Sequence, residues 1–259
     1  MYQVKKLNNE HVKAVPVKIV DTRPIKGHNL FPEIYANIFY CAKKKMGKTS
    51  ALFKTLKRCA GRNTKIVVFC STLNKDASWT TIREWANKKG IPFVGHLGIK
   101  DENKVDRLAQ FLEELQQPEE VEEKGFFESD SEEEEEALPK YRSPEYIFVL
   151  DDLSRECRLP SVSTLLKKNR HFKAKVIISS QYPNDLQPEA AMQLDYWILF
   201  KDHTRKKVDE IHALTDSSLD ADEFYKLYKF ATEQPFAFLY VDRIDGTFRR
   251  NFNSLISPS

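Results

Sequence analysis

Two patterns of hydrophobic positions alternate along most of this chain. Short, nearly continuous apolar runs are typical of strands buried on both faces of a parallel sheet. They lie at residues 38–41, 66–70, 146–150, 176–181 and 196–200, with a further short strand at 91–94. Between them, apolar residues recur at spacings of three and four, which predicts helices. One predicted helix starts near Thr49 and ends before Gly61, and three others cover residues 79–89, 102–116 and 219–231. This alternation predicts an α/β fold with a mainly parallel central sheet and flanking helices.

The two ends of the chain carry different patterns. Residues 1–33 contain short apolar alternations such as 15–20, broken by prolines, and predict an N-terminal strand followed by a loop. Near the other end, apolar runs at 236–241 and 247–252 flank Asp245-Gly246, a pair typical of hairpin turns. Residues 232–259 are therefore predicted to form a C-terminal β-hairpin and tail. A length of 259 residues fits one large domain.

Residues 118–139 interrupt both patterns. The segment 119–136 holds eleven acidic residues and one Lys, including five consecutive Glu, and its only large apolar residues besides Val121 are Phe126 and Phe127. Like charges repel one another and so little apolar surface cannot form a core, so we expect a disordered acidic insertion. Ser129 and Ser131 lie among these acids as acidophilic kinases prefer, although a solvated loop explains the same pattern.

This insertion changes the meaning of the net charge. The whole chain has a formal charge of +3, but without the insertion 40 basic and 27 acidic residues remain, a charge of +13. Such a balance suits a surface that binds a polyanion, and equally a soluble protein with a lysine-rich exterior. Four widely spaced cysteines and six scattered histidines give neither a zinc signature nor a disulfide framework. Without a membrane-length apolar run or a signal-peptide core, the protein is expected to be soluble and intracellular.

The first candidate for chemistry is a phosphate-binding loop between the 38–41 strand and the following helix. In such loops backbone N–H groups surround the phosphates, a Lys reaches the outer ones, and a Ser or Thr hydroxyl ligates Mg²⁺. Lys48 and Thr49 match the last two roles. Ala42 replaces the usual first Gly, so the loop must avoid a positive φ there or carry strain. The predicted nucleotide-binding residues are Ala42, Lys43, Lys44, Lys45, Met46, Gly47, Lys48, Thr49 and Ser50. The alternative is a lysine-rich surface turn.

A second candidate is the acidic pair Asp151-Asp152 at the end of the 146–150 run. In an open α/β sheet, ligands bind outside the carboxyl ends of the strands. Asp151 is predicted to hold Mg²⁺, and Asp152 to orient or deprotonate the attacking water. Gln181 ends the next apolar run, where an amide can hydrogen-bond this water or the γ-phosphate.

The ordered set of these motifs resembles the genome-packaging ATPases of the FtsK–HerA superfamily, in the branch found in large DNA viruses, virophages and Polinton-type elements. The likeness covers residues 38–200, including an Asn-Arg-His stretch at 169–171 ahead of the 176–181 strand. It implies a RecA-like P-loop NTPase fold, ATP and Mg²⁺ as ligands, and catalytic roles for Asp152, Gln181 and Arg170. Lys48 and Thr49 match the Walker A pair, and Thr49 and Asp151 would bind the metal.

The same resemblance implies that the protein moves double-stranded DNA into a capsid as a homo-oligomeric ring, pentameric or hexameric, contacting capsid vertex proteins. It would act in the virion or in a cytoplasmic viral factory. Arg170 would act on the site of a neighbouring subunit, as an arginine finger does. Alternatively, Arg170 is part of the basic last turn of a helix.

Two other functions remain open at this point. A different nucleic-acid motor, such as a replicative helicase, would share the P-loop, the paired acids and the basic surface. A nucleotide-binding scaffold of the virion that does not hydrolyse ATP would account for Ala42. Retention of Asp152 and Gln181 argues against the scaffold, since a pure binder has no need to position water.

Overall fold

The computed structural model describes residues 21–117 and 140–257, and within them the chain forms a sheet of nine strands with helices on both faces. The strands are β1 (Asn37–Cys41), β2 (Lys65–Cys70), β3 (Phe93–His96), β4 (Tyr146–Asp151), β5 (Ala174–Ser180), β6 (Tyr196–Phe200), β7 (Phe238–Asp242), β8 (Thr247–Arg250) and β9 (Ser254–Ile256). The α-helices are α1 (Lys48–Cys59), α2 (Ala77–Lys88), α3 (Arg107–Glu114), α4 (Pro160–Lys167), α5 (Pro188–Ala191), α6 (Arg205–Thr215) and α7 (Ala221–Ala231). The predicted N-terminal strand at 15–20 and the predicted disordered insertion at 118–139 lie outside the described residues.

The sheet has the strand order β3-β2-β4-β5-β1-β6-β7-β8-β9. The strands from β3 to β6 are parallel, whereas β7, β8 and β9 are antiparallel to their neighbours. The predicted α/β fold with a mainly parallel sheet is therefore confirmed. Strand β1 lies between β5 and β6, and the connections that leave β1 and β5 run in opposite directions, to β2 and to β6. Open α/β sheets bind ligands at such a point.

Connection handedness explains which helices cover which face. From β1 to β3 the chain moves one way across the sheet, and from β3 to β6 it moves the other way. Because parallel crossovers are right-handed, these two directions place their helices on opposite faces. Strand β1 alternates accordingly: Phe39 and Cys41 join the core under α3 to α7, and Ile38 and Tyr40 join the core under α1 and α2.

Several element boundaries differ from the prediction. Helix α3 begins at Arg107, not at residue 102, because Asp106 caps it by accepting the N–H of Ala109 at 2.8 Å. Val105, an apolar residue inside the predicted range 102–116, precedes the helix and is 37% exposed. Helix α1 ends at Cys59 with Ala60 as its C-cap, so it does end before Gly61 as predicted.

The C-terminal part contains more structure than predicted. Strands β7 and β8 pair as a hairpin around Asp245-Gly246, as expected, with Gly246 at φ 64°. Strand β9 adds a third antiparallel strand. Helix α6 was not predicted, because few of its positions are apolar and only Val208, Ile211 and Thr215 are buried. No helix in the described parts of the chain is long and apolar enough to cross a membrane.

Candidate active site

The candidate site lies at the carboxyl ends of three adjacent strands. The order β4-β5-β1 places the acidic pair, Gln181 and the loop after β1 at one edge of the sheet. The register is close, since Cys41 pairs with Ser180 and Asp151 pairs with Ser179. The sheet therefore brings together three motifs that are far apart in sequence.

The loop between β1 and α1 tolerates Ala42 because its positive φ angles fall elsewhere. Ala42 is fully buried and its N–H donates to the Ser180 carbonyl at 3.2 Å, which ties the loop to β5. Ala42 has no positive φ, whereas Lys45 adopts φ 65° and Gly47 adopts φ 89°. Gly47 is also the N-cap of α1, so the free backbone N–H groups at the start of this helix lie next to the loop, where they would bind a phosphate. Replacement of the first Gly thus causes no left-handed strain at that position.

The Lys48 ammonium lies between the two carboxylates of the acidic pair. Its Nζ is 2.7 Å from Asp152 Oδ1 and 3.3 Å from Asp151 Oδ1. Burial by itself would lower the pKa of Lys48, but the charges of both carboxylates outweigh it and raise the pKa, so Lys48 stays protonated. A nucleotide phosphate would therefore have to attract Lys48 away from these carboxylates.

Asp151 is held rigidly by neighbours that the sequence did not indicate. Its residue is 6% exposed, and its carboxylate accepts from Ser179 Oγ at 2.5 Å and from Trp79 Nε1 at 3.3 Å. Ser179 comes from β5 and Trp79 from α2. Hydrogen bonds of this kind fix a carboxylate in one orientation. The two residues lay within predicted elements, but only strand adjacency and helix packing bring them to Asp151.

Asp152 has a different environment from Asp151. Its side chain is 42% exposed, and its backbone adopts φ 49° while its N–H donates to the Ser179 carbonyl at 2.9 Å. This turn directs the carboxylate out of the sheet and towards Lys48. One buried and one accessible carboxylate suit two different tasks.

Gln181 directly follows β5 and is half-buried. Its carbonyl accepts from the Nζ of Lys207 on α6 at 2.7 Å, and that Nζ also lies 4.0 Å from the ring centroid of Tyr182. Lys207 therefore fixes the backbone that carries the Gln181 amide. Because few positions of α6 are apolar, no sequence pattern indicated this contact.

His203, which follows β6, contacts the backbone of Cys41 directly before the phosphate-binding loop. Its Nε2 lies 3.1 Å from the Cys41 carbonyl and must donate to it, because a carbonyl only accepts. Burial, together with the nearby Lys207 and Lys43 charges, lowers the pKa of His203 to about 4, so the ring is neutral near pH 7. Its Nδ1 has no hydrogen-bond partner within the described residues. No sequence pattern marked this residue.

Arg170 is not brought to this site within its own subunit. It is exposed and precedes β5, whereas the site follows β5. Seven strand residues separate the two edges, a distance of roughly 20 Å. Arg170 lies instead near Asp195 at the start of β6, where its charge lowers the pKa of that carboxyl against the larger, opposite effect of burial. A role for Arg170 at its own nucleotide site is not supported by this placement.

The arginines of the C-terminal hairpin bind backbone carbonyls of this chain. Arg243 donates to the carbonyls of Thr215, Met192 and Leu194. Arg249 and Arg250 donate to the carbonyls of Asn29 and Phe230, respectively. These contacts are structural.

The residues near Lys48 fit Mg²⁺ together with a phosphate. The described residues contain no group of three or more His, Cys, Asp or Glu that could hold a metal by themselves. A hydroxyl from Thr49 and a rigid carboxylate from Asp151 are hard oxygen donors, and Mg²⁺ is usually bound by one or two carboxylates plus substrate phosphates. The donor set therefore matches a metal that arrives with a nucleotide.

No protein-family model and no curated protein sequence matches this chain, but several solved structures have a similar fold. The genome-packaging NTPase B204 of Sulfolobus turreted icosahedral virus 2, in complex with AMP, superposes with a TM-score of 0.55 at 14% identity, covering 85% of this chain and 98% of that one. The DNA-packaging ATPase B204 of Sulfolobus turreted icosahedral virus gives a TM-score of 0.54 at 15% identity, over 83% and 96% of the two chains. The cytoplasmic domain of the type VII secretion ATPase EccC of Thermomonospora curvata gives 0.52 at 14% identity, over 87% of this chain and 26% of that one.

These likenesses confirm the sequence resemblance at the level of the fold. The chain has the P-loop α/β fold of packaging and secretion ATPases, and it spans almost the full length of the two viral proteins. Identities of this size carry no more than the fold.

Proposed function

We propose that this protein is an ATP-hydrolysing motor that moves double-stranded DNA into a viral capsid. The observation that carries this proposal is the convergence of Lys48, Thr49, the two aspartates and Gln181 at one edge of the sheet. This set contains a phosphate ligand, a metal ligand and groups that position water, which hydrolysis of a phosphoanhydride requires.

The residues divide the task as their environments suggest. The N–H groups of the loop and the start of α1 would bind the phosphates, with Lys48 moving from the carboxylates to the outer phosphates. Thr49 and Asp151 would hold Mg²⁺, which supplies positive charge against the phosphoryl group. Asp152, whose carboxylate is accessible, would accept a proton from the attacking water, and the Gln181 amide would orient that water.

DNA as the substrate is supported by two observations beyond the fold. Packaging and secretion ATPases superpose on this chain about equally well, so the fold does not choose between genome packaging and secretion. This chain, however, spans 98% of the B204 chain and only 26% of the EccC chain. A net charge of +13 outside the acidic segment also suits a nucleic-acid partner.

Ring assembly would complete the site. Because Arg170 lies at the opposite edge of the sheet, we assign it to the nucleotide of a neighbouring subunit in a homo-oligomeric ring. Each ring would contact capsid vertex proteins, either in the virion or in the cytoplasm where virions assemble. Hydrolysis would then depend on assembly, since no subunit has a complete site alone.

The direct test is the ATPase activity of the purified protein with and without duplex DNA. Hydrolysis that duplex DNA stimulates, without strand unwinding, is the expected result, with Lys48→Ala as the inactive control. Unwinding of a forked duplex would favour a helicase. Tight ATP binding without turnover, with DNA present, would indicate a nucleotide-binding scaffold.

A further inference from the structure

A cleft opens beside the phosphate-binding loop and is lined in part by β6 and β7, whereas the acidic pair lies at the end of β4, on the other side of β1 in the sheet. It has a volume of about 650 Å³. Gly47, Ser50, Ala51 and Lys54 form one wall, and their spacing of three or four residues places them on one face of the first two turns of α1. The cleft is therefore continuous with the position where a phosphate would contact Gly47.

The opposite wall comes from two segments of the C-terminal region. Residues 234–238 precede and begin β7, and residues 251–253 lie between β8 and β9. Phe236 is 65% exposed and lies directly against the loop, because a Cβ added at Gly47 would come within 3.3 Å of Phe236 Cδ1. An aromatic face is thus held next to the phosphate site.

The backbone at Phe236 is unusual for an aromatic residue. Ala237 N–H donates to the Gln234 carbonyl at 3.3 Å and Pro235 occupies the second position, which are the features of a type II turn. The third position of such a turn needs a positive φ and favours Gly, yet here it is Phe236, at φ 62°. Phe236 is largely exposed and so buries little apolar surface, and backbone strain of this kind concentrates at ligand sites.

Polar groups line the rest of this wall. Gln234, Asn251 and Asn253 contribute amides, which both donate and accept hydrogen bonds as the edge of a nucleobase does. Asn251 is fixed in place because its Oδ1 accepts from the Phe238 N–H at 3.1 Å, and this leaves its amide nitrogen as a donor. Lys54 and Phe252 close the far end, with the Lys54 Nζ 5.6 Å from the ring centroid.

We propose that this cleft binds the adenine base of the ATP whose phosphates lie on the loop, with the Phe236 ring stacked on the base and the amides bonded to its edge. The inference rests on the proposed function, since it requires a triphosphate at Lys48. It identifies Phe236 as a binding residue that the sequence motifs do not include.

The test measures ATP and inorganic tripolyphosphate affinities for the wild type and for Phe236→Gly. Stacking of a base on an aromatic ring is worth about 1–3 kcal/mol, so ATP affinity should fall about 5- to 150-fold. Tripolyphosphate affinity should not change, because it has no base. Gly relieves the positive φ, so the melting temperature should stay the same or rise, which excludes misfolding as the cause.

Two further variants serve as controls. Phe236→Trp keeps an aromatic face and should retain ATP affinity, with Trp fluorescence quenched on binding. Phe230→Ala removes another exposed aromatic residue, on α7, and should change neither affinity.

Three results would overturn the inference. Equal ATP affinity of Phe236→Gly and wild type would remove Phe236 from the base site while leaving the proposed ATPase intact. Parallel loss of ATP and tripolyphosphate affinity would show that Phe236 supports the loop and not a base. A wild type that binds neither ligand would refute the nucleotide site itself, and the proposed function with it.

Discussion

Replacing Asp152 with Asn should stop ATP turnover without weakening nucleotide binding. Asp152 and Lys48 form an ion pair at 2.7 Å, and Lys48 has to leave this pair to reach a phosphate. Asn removes the negative charge and so makes the move easier. It also removes the group proposed to accept a proton from water.

The structure sets the size of both effects. The Asp152 side chain is 42% exposed, and ion pairs with such exposure contribute up to about 1 kcal/mol. The dissociation constant for ATP should therefore be unchanged or at most about fivefold lower. Loss of a general base typically costs about 10²–10⁴ in rate, so kcat should fall by that factor.

The assay pairs equilibrium binding of ATP with steady-state hydrolysis. Lys48→Ala should lose binding as well as turnover, because Lys48 contacts phosphate in the ground state. Asp209→Asn makes the same chemical change in an exposed ion pair with Arg205 on α6, and should alter neither quantity. Equal loss of ATP binding in the Asp152 and Lys48 variants would refute this division of roles.

Three other predictions follow from the site and the charge pattern. The wild type should lose up to about 3 kcal/mol of unfolding free energy as the pH falls from 6.5 towards 4, because His203 is protonated at its usual pKa in the unfolded chain, while burial lowers its pKa in the folded protein to about 4. Urea unfolding at both pH values should show this loss in the wild type and not in His203→Gln. An equal loss in both proteins would contradict the prediction. Inactive Arg170→Ala and inactive Lys48→Ala subunits should recover some ATPase activity when mixed, whereas no recovery in rings shown to be mixed would argue against a role in the neighbour's site. Deleting residues 118–136 removes a charge of −10. The melting temperature should stay unchanged, and DNA binding should become tighter and more salt-sensitive. Weaker DNA binding would show that the segment does not compete with DNA for the basic surface.

From the amino-acid sequence alone, the class of fold could be predicted, which the structure confirms, and so could several groups that follow β1, β4 and β5. Apolar runs such as the one before Asp151 reflect burial on both faces, a local property that the composition of a strand reveals. The carboxyl ends of parallel strands lie at the same edge of a sheet. Residues that follow different strands, such as Lys48 and Gln181, could therefore be predicted to lie close together. Boundaries were less accurate where a cap decides them, as at Asp106, because one side-chain hydrogen bond shifts the start of a helix by several residues.

How these groups are supported, and at which edge of the sheet each one lies, depends on tertiary contacts. Ser179 and Trp79 reach Asp151 through the order of strands and the packing of α2, neither of which leaves a pattern in the local sequence. Arg170 precedes β5 whereas Gln181 follows it, so the two lie at opposite edges of the sheet, and the role of Arg170 at a neighbouring subunit's site stays a prediction. Phe236 reaches Gly47 because β7 is antiparallel to β6 and therefore begins beside the carboxyl end of β6, where Phe238 pairs with Phe200. Contacts between residues distant in sequence depend on how the chain crosses the sheet, and hydrophobic periodicity carries no information about that path.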